Sequence, residues 1–191
     1  MSAPFSFTLP PDLVAKAPPE RRGIARDTVR LLVIDRVMHR IEHTRFDHLG
    51  EFLHPGDLLV FNTSRTLPAA LDGCAMPAGL CIEMRLAEHL PDGSWLALLL
   101  CQQGEPFACG LRSGMQINFG EGLTGVVEDR DQRIPRLWKV WFSKSGTELV
   151  DALYRVGRPI RYEYVSAPWD LESYQTVYAR EPGSAELPSA K

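Results

Sequence analysis

The stretch Cys81-Ile82-Glu83-Met84-Arg85-Leu86 decides the fold, because apolar and polar side chains alternate along it with the period of a half-buried β-strand. Met115-Gln116-Ile117-Asn118-Phe119 shows the same alternation. Turn-forming clusters separate such segments, at Pro91-Asp92-Gly93 and Gly120-Glu121-Gly122. Between residues 71 and 142 the sequence therefore predicts five or six strands without a helix, which is typical of a small antiparallel β-barrel.

The residues before this region have a mixed α/β pattern. Val29–Asp35 is nearly all apolar and predicts a buried strand, followed by a second strand near residues 38–43. Thr44–Leu53 begins like a capping box and has apolar residues at helical spacing, so we predict a helix there. A further buried strand is predicted over Asp57–Asn62.

Helical signals return after the barrel region. Ser145–Glu148 forms another capping-box pattern, and it predicts a helix that Gly157 closes. Residues 170–179 predict a last helix with Tyr174 and Tyr178 on one side.

This order of elements predicts the domain organisation. Residues 1–70 and 155–191 are expected to form parts of a discontinuous, barrel-like α/β catalytic domain, which is incomplete in this chain. Residues 71–154 are expected to form the inserted antiparallel β-barrel. The predicted fold class is thus α/β plus all-β.

Composition excludes several classes of protein. No apolar run approaches the roughly 18 residues that span a bilayer, and the first residues lack the apolar stretch of a signal peptide. We therefore predict a cytoplasmic protein without membrane contact. The cysteines include no Cys-x-x-Cys pair and no histidine at zinc-like spacing, so we predict reduced thiols and no metal site.

The charge is unevenly distributed, although the net charge of −3 argues against a generic nucleic-acid binder. Between Lys16 and Arg45 there are eight Lys and Arg residues against four Asp and Glu residues, a local excess of four positive charges. Such a patch can bind phosphates whatever the total charge, with Arg21, Arg22 and Arg26 as the candidates. A solvated arginine-rich face explains the same pattern, and both interpretations stay open.

Polar residues directly follow the predicted strand Asp57–Asn62. Thr63, Ser64 and Arg65 come just beyond its end, a common position for ligand-binding residues in α/β proteins. We treat this segment as a candidate binding site.

Three stretches carry a resemblance to a known family. The most specific is Tyr174-Gln175-Thr176-Val177-Tyr178-Ala179, within a match from Arg158 to Ala190, and the others are Phe5–Asp35 and Arg45–Leu71. By these stretches the chain resembles the S-adenosylmethionine:tRNA ribosyltransferase-isomerase family of queuosine biosynthesis. The resemblance covers essentially the whole chain, although the barrel matches in layout more than in residues.

Two departures from the family pattern bear on function. The family has Asn-Asp-Thr-Arg followed by Pro-Ala-Arg, whereas this chain has Thr63 in place of the acid and Ala70 in place of the last arginine. These changes leave the acceptor open. Family members also continue into further α/β structure that carries more of the active site, so we expect this chain to be an N-terminal portion with an incomplete site.

The resemblance implies a reaction. The family moves the ribosyl part of S-adenosylmethionine onto the aminomethyl group of a 7-deazaguanine in a tRNA anticodon, and rearranges the ribose to give epoxyqueuosine. Adenine and methionine are released. The resemblance thus implies S-adenosylmethionine and tRNA as partners, with no permanently bound cofactor and no metal, and we expect a monomer.

The candidate residues each have a second explanation. Substrate binding is assigned to Asn62, Thr63, Ser64, Arg65, Gln175 and Thr176, with Arg65, Tyr174 and Tyr178 as catalytic candidates. Alternatively, the two tyrosines pack the last helix, Arg65 neutralises an acid such as Asp57, and Asn62 closes a turn. The sequence identifies no general base.

Two other functions compete with the enzyme. One is a non-catalytic RNA-binding fragment, which predicts salt-dependent tRNA binding through Arg21, Arg22 and Arg26. The other is a related enzyme that uses S-adenosylmethionine with another acceptor, as the residues at Thr63 and Ala70 allow.

Overall fold

The computed structural model describes residues 6–77, 79–101, 110–161, 165 and 167–186. Contacts divide the chain into two compact units. The first unit is Met1–Val60 with Tyr162–Ala167, and the second is Phe61–Arg161 with Pro168–Lys191. The predicted domain boundaries near residues 70 and 155 stay predictions.

A β-hairpin dominates the first unit. Strands β1 (Arg30–Asp35) and β2 (Arg40–Arg45) pair antiparallel, with Ile34 opposite Ile41. Both strands are confirmed, but the predicted burial of β1 is wrong, because Leu32 and Ile34 are 51% and 60% exposed. The remaining elements are short 3-10 helices, at Pro11–Leu13, Pro19–Arg22, Arg26–Thr28 and Phe46–Phe52.

Two further predictions for the first 62 residues are wrong. The expected helix over Thr44–Leu53 is only the 3-10 helix Phe46–Phe52, because Thr44 belongs to β2 and cannot cap it. The expected buried strand over Asp57–Asn62 is absent from the described structure. Leu58 and Val60 are 86% and 83% exposed, since no ladder partner in the described first unit covers this segment.

The second unit contains the predicted barrel. A short strand, β3 (Ser64–Thr66), precedes it. The six barrel strands are β4 (Ala70–Met76), β5 (Leu80–His89), β6 (Trp95–Cys101), β7 (Gln116–Gly120), β8 (Leu123–Arg130) and β9 (Leu137–Phe142). They pair antiparallel in the order β4-β5-β6-β9-β8-β7, and pairing between β7 and β4 closes the barrel. The prediction of a small antiparallel barrel is confirmed.

Alternation of side chains fills the barrel. Along β5, Ile82, Met84 and Leu86 point inward and are at most 2% exposed, while the residues between them face outward. Ile117 and Leu123 from β7 and β8 are completely buried in the same core. Each such side chain contributes roughly 2 kcal/mol of hydrophobic stabilisation.

One α-helix packs on the barrel. Helix α1 (Gly146–Val156) buries Leu149, Ala152 and Leu153, which recur at helical spacing. The predicted helix is confirmed, although Ser145 makes no side-chain capping bond. Strand β10 (Gly157–Arg158) follows at once and pairs with β4. A Cβ atom at Gly157 would lie 2.2 Å from the carbonyl oxygen of Pro68, so only glycine fits there.

The predicted last helix is wrong. A 3-10 helix covers only Leu171–Tyr174, and strand β11 (Glu181–Ser184) follows after a turn. The helix stops because Gln175 has an extended backbone and its side chain bonds to Thr66. In the described part of the chain, no helix is long and apolar enough to cross a membrane.

Candidate functional site

The candidate site forms where two distant segments of the second unit run side by side. Strand β3 pairs parallel with β11, with Ser64 opposite Glu181. The carbonyl oxygen of Thr63 accepts a 2.8 Å hydrogen bond from the Arg180 amide. The structure thus brings the polar segment Asn62–Arg65 beside the chain that leaves Tyr178.

A buried clamp holds the two segments together. The amide oxygen of Gln175 accepts a hydrogen bond from the Thr66 N–H at 2.8 Å, and its amide nitrogen donates to the Thr66 carbonyl at 2.9 Å. The Thr66 hydroxyl donates to the Tyr174 carbonyl at 2.9 Å. Thr66 and Gln175 are only 1% and 4% exposed, so water competes little for these bonds. Gln175 therefore acts as a strand partner for the backbone of Thr66.

Asn62 and Arg65 both make local contacts. The Asn62 side-chain oxygen accepts a 2.8 Å hydrogen bond from the Ser64 N–H, so this residue does close a turn. The Arg65 guanidinium lies 3.5 Å from the Glu172 carboxylate, so it does neutralise an acid. Both partners are substantially exposed, and an ion pair of this kind is weak. A ligand anion could therefore replace Glu172.

The two candidate tyrosines lie in different environments. Tyr174 is 8% exposed, whereas Tyr178 is 39% exposed and stacks on Phe61 with ring centroids 4.4 Å apart. They do not share a helix face, because no helix extends that far. Sequence reasoning missed Phe61, although an aromatic residue directly before the polar segment is a signal for such a contact.

Thr176 offers an unused polar atom. Its hydroxyl oxygen is buried and has no hydrogen-bond partner within the described structure. A buried hydroxyl of this kind costs about 1–3 kcal/mol unless water or a ligand binds it. Thr176 directly follows Gln175 of the clamp.

The three arginines predicted to bind tRNA all belong to the first unit. Arg21 and Arg22 end the 3-10 helix Pro19–Arg22 of the first unit and are exposed. Arg26 pairs with Glu20, and this hydrogen bond lowers the pKa of the Glu20 carboxyl.

In the second unit, Arg158 is engaged by two acids. Its guanidinium binds Asp72 at 2.9 Å and Glu83 at 2.6 Å. Burial alone would raise the pKa of Glu83, but hydrogen bonds from Arg158 and Arg85 outweigh it and lower that pKa. This network fastens β10 to the outer face of the barrel.

Metal ligands are not assembled in the part of the chain that the structure describes, since no group of three or more His, Cys, Asp or Glu side chains could hold an ion. Cys74 and Cys81 are free thiols, as predicted. The prediction is wrong for Cys101, which is disulfide-bonded. The spacing of cysteines and histidines along the sequence tests for a metal site, but it does not exclude a disulfide.

A cavity of about 340 Å³ lies elsewhere in the second unit. It is lined by Leu90, Leu96, Asp129, Arg130, Asp131, Gln132, Arg133 and Lys139. None of the site residues predicted from the sequence lines it.

The chain is similar in sequence to proteins of one known family. Residues 2–191 match a family model described as "Queuosine biosynthesis protein". Proteins named S-adenosylmethionine:tRNA ribosyltransferase-isomerase from Thermotoga maritima, Clostridioides difficile and Halothermothrix orenii are 36%, 35% and 33% identical to the chain. Each alignment covers 97% of this chain and 51% of the relative. The chain thus spans about half the length of the curated relatives it matches.

A solved structure is also similar. It is the crystal structure of an S-adenosylmethionine tRNA ribosyltransferase from Thermotoga maritima, 34% identical in sequence. The alignment covers 76% of this chain and 46% of that chain, with a TM-score of 0.34.

Proposed function

The chain belongs to the queuosine biosynthesis protein family, and from this premise we propose that it takes part in transferring the ribosyl group of S-adenosylmethionine to tRNA and isomerising it. The match over residues 2–191 carries the proposal, together with relatives at 33–36% identity whose name states that reaction. Since the chain spans about half of those relatives, it contributes part of a site.

The proposed acceptor is the aminomethyl group of a 7-deazaguanine in the tRNA anticodon, and the proposed product is epoxyqueuosine. Adenine and methionine leave the sulfonium nucleoside. Such a reaction needs two nucleosides held together in one orientation, and proton transfer at ribose carbons. The site must therefore supply hydrogen-bond donors and acceptors for the two nucleosides and a group that takes up the proton.

The Asn62–Arg65 segment supplies groups of this kind. The hydroxyls of Thr63 and Ser64 bind ribose or base edges, while Asn62 fixes the turn that presents them. Arg65 exchanges Glu172 for a substrate phosphate or carboxylate, since the existing pair is 3.5 Å long and exposed.

The Tyr174–Tyr178 segment has divided roles. Tyr178 is the better candidate for base stacking or proton transfer, since Tyr174 is buried. Thr176 binds substrate through its unpartnered hydroxyl. Gln175 positions both segments through Thr66. Because its side-chain amide already makes two hydrogen bonds to the Thr66 backbone, it supports the site rather than binding substrate directly.

Adenine release tests the proposal. The full-length protein is incubated with S-adenosylmethionine and tRNA that carries the deazaguanine precursor, and free adenine is measured over time. We expect Arg65→Ala to lower the rate about tenfold or more, because a charge-assisted hydrogen bond contributes roughly 1.5–3 kcal/mol. Glu172→Gln is the matched control, since it removes the competing carboxylate and leaves Arg65 in place. No adenine from the parent protein would overturn the proposal.

The same assay separates a related enzyme with another acceptor. Thr63 and Ala70 stand where the family pattern has an acid and an arginine, which motivates this alternative. Adenine released equally fast with tRNA that lacks the deazaguanine would favour it.

A second candidate function is RNA binding without chemistry. It is favoured by the local excess of four positive charges between Lys16 and Arg45 and by the half-length match. Replacing Arg21, Arg22 and Arg26 together by alanine should weaken tRNA binding. The slope of the logarithm of the binding constant against the logarithm of the salt concentration should become shallower by roughly 0.7–0.9 for each phosphate that the variant no longer neutralises. Replacing Arg112, Arg133 and Arg136, which are exposed on the second unit, is the charge-matched control. Tight binding without adenine release would support this function over the first.

A further inference from the structure

Two cysteines face each other on the outer surface of the barrel. Cys74 on β4 and Cys81 on β5 are directly opposite in the antiparallel register. Their sulfur atoms are 4.0 Å apart, and both residues are exposed free thiols. A hydrogen bond between the two thiols raises the pKa of Cys74.

This register satisfies the geometry of a disulfide. Directly opposite residues of an antiparallel pair have Cα atoms about 4.5–5.5 Å apart. Disulfides form across Cα separations of roughly 4.4–6.8 Å, with a bond of about 2.05 Å between sulfurs. The sulfurs are 4.0 Å apart and have to approach to this bond length, and the register places the two Cα atoms in the range that a disulfide spans. Since both sulfurs face solvent, a small reagent can reach them.

We propose that Cys74 and Cys81 form a dithiol modification site, which reacts reversibly with a low-molecular-weight disulfide of the glutathione class to give a Cys74–Cys81 disulfide. None of the candidate substrate-binding residues contributes to this site.

The reaction balances in two exchange steps. The thiolate of one cysteine attacks a sulfur of glutathione disulfide, forms a mixed disulfide and expels one glutathione thiolate. The thiolate of the other cysteine then attacks the protein sulfur of the mixed disulfide and expels the second. The protein loses two protons and two electrons, and glutathione disulfide takes up both as two molecules of glutathione. Excess glutathione drives the same steps backward.

The sequence allows a direct test by mass. Trypsin releases both cysteines in the single peptide Thr66–Arg85, while Cys101 and Cys109 fall in Leu86–Arg112. The 191-residue protein is equilibrated with mixtures of glutathione and glutathione disulfide, quenched with iodoacetamide and digested. We expect Thr66–Arg85 to lose both alkylation sites under oxidising mixtures and to become lighter by two hydrogen atoms. Dithiothreitol should restore both sites.

Single-cysteine variants test the second exchange step. Cys74→Ser and Cys81→Ser each leave one exposed thiol, so we expect them to accumulate the glutathione adduct that the parent resolves. Repeating the equilibration in unfolding urea should lower the equilibrium constant for ring closure, because the strands no longer hold the thiols together. Three outcomes would overturn the proposal: two alkylated thiols under every mixture, glutathione adducts on both parent cysteines, or equal closure in folded and unfolded protein.

Discussion

The barrel and the β1–β2 hairpin are both antiparallel structures, yet only one of them covers its apolar residues. Ile82, Ile117 and Leu123 of the barrel are at most 1% exposed. In the hairpin, Ile34 and its cross-strand partner Ile41 are 60% and 63% exposed. The pairing of β1 with β2 is continuous from Arg30 to Asp35, whereas the β5–β6, β7–β8 and β8–β9 ladders of the barrel each contain a register shift.

The difference lies in closure. Every barrel strand has two neighbours, and the sheet folds back on itself through the pairing of β7 with β4. A two-stranded sheet cannot enclose a core, and alone it is marginal in water. Regular strand structure therefore contributes little stability to the hairpin without a second layer on its apolar face.

Alanine substitutions in the two regions give the largest expected difference. Leu123→Ala removes a fully buried side chain from the barrel and should lower the free energy of unfolding by about 2–5 kcal/mol. Ile34→Ala changes an exposed residue of the hairpin and should lower it by about 0.5 kcal/mol or less. Urea unfolding followed by circular dichroism measures both. Equal losses would mean that the hairpin face is covered in solution.

The clamp on Thr66 sharpens the comparison, since β3 and β11 also form a sheet of only two strands. Here the buried Gln175 side chain, rather than a further strand, provides hydrogen-bond partners for the backbone N–H and carbonyl of Thr66. Gln175→Ala leaves the Thr66 N–H and carbonyl without these partners and should lower the free energy of unfolding by about 2 kcal/mol. Unfolding in urea is followed by tryptophan fluorescence, which reports on the second unit because all four tryptophans belong to it.

Val177→Ala is the control for that substitution. Val177 lies two residues away but is 79% exposed, so we expect a change within about 0.5 kcal/mol. If Gln175→Ala changed the free energy of unfolding as little as Val177→Ala, water would have to form the hydrogen bonds to Thr66 equally well in place of the amide.

Local pattern in the sequence is sufficient to predict the barrel. Alternation along Cys81–Leu86 and the turn at Pro91–Gly93 depend on neighbouring residues in the sequence, and the strand and the turn both form as predicted, with β5 paired to β6 across that turn. For the apolar runs Val29–Asp35 and Asp57–Asn62, burial is predicted from composition alone. Burial depends on what covers a segment, which a run of apolar residues does not specify, and both predictions are wrong.

The candidate site shows the same limit. The sequence singles out Asn62–Arg65 and Tyr174–Tyr178, and the structure brings the two segments together. The clamp between Gln175 and Thr66 joins residues more than a hundred positions apart, and the local sequence pattern does not predict it. For the same reason the sequence predicts for the tyrosines a helix that the clamp prevents.

Acid should weaken the barrel through a smaller, electrostatic effect at the β5–β6 turn. Hydrogen bonds from the Ser94 hydroxyl and the Ser94 N–H, with a further one from Lys139, lower the pKa of Asp92 from 3.8 to about 2. A carboxyl whose pKa is lower in the folded state stabilises the fold while it is ionised in both states. Its contribution is therefore complete at about pH 5 and is lost as the pH falls through 3.8 toward 2.

Asp92→Asn isolates this contribution, because the amide cannot ionise. The urea midpoints of parent and variant should differ most at about pH 5 and converge as the pH approaches 2. The effect should be the smallest of the three, since Asp92 is exposed and water screens its interactions. A difference that stays constant over this range of pH would show that Asp92 acts through the shape of the turn rather than through its charge. The advantage of the barrel over the hairpin would then come from apolar closure and turn geometry alone.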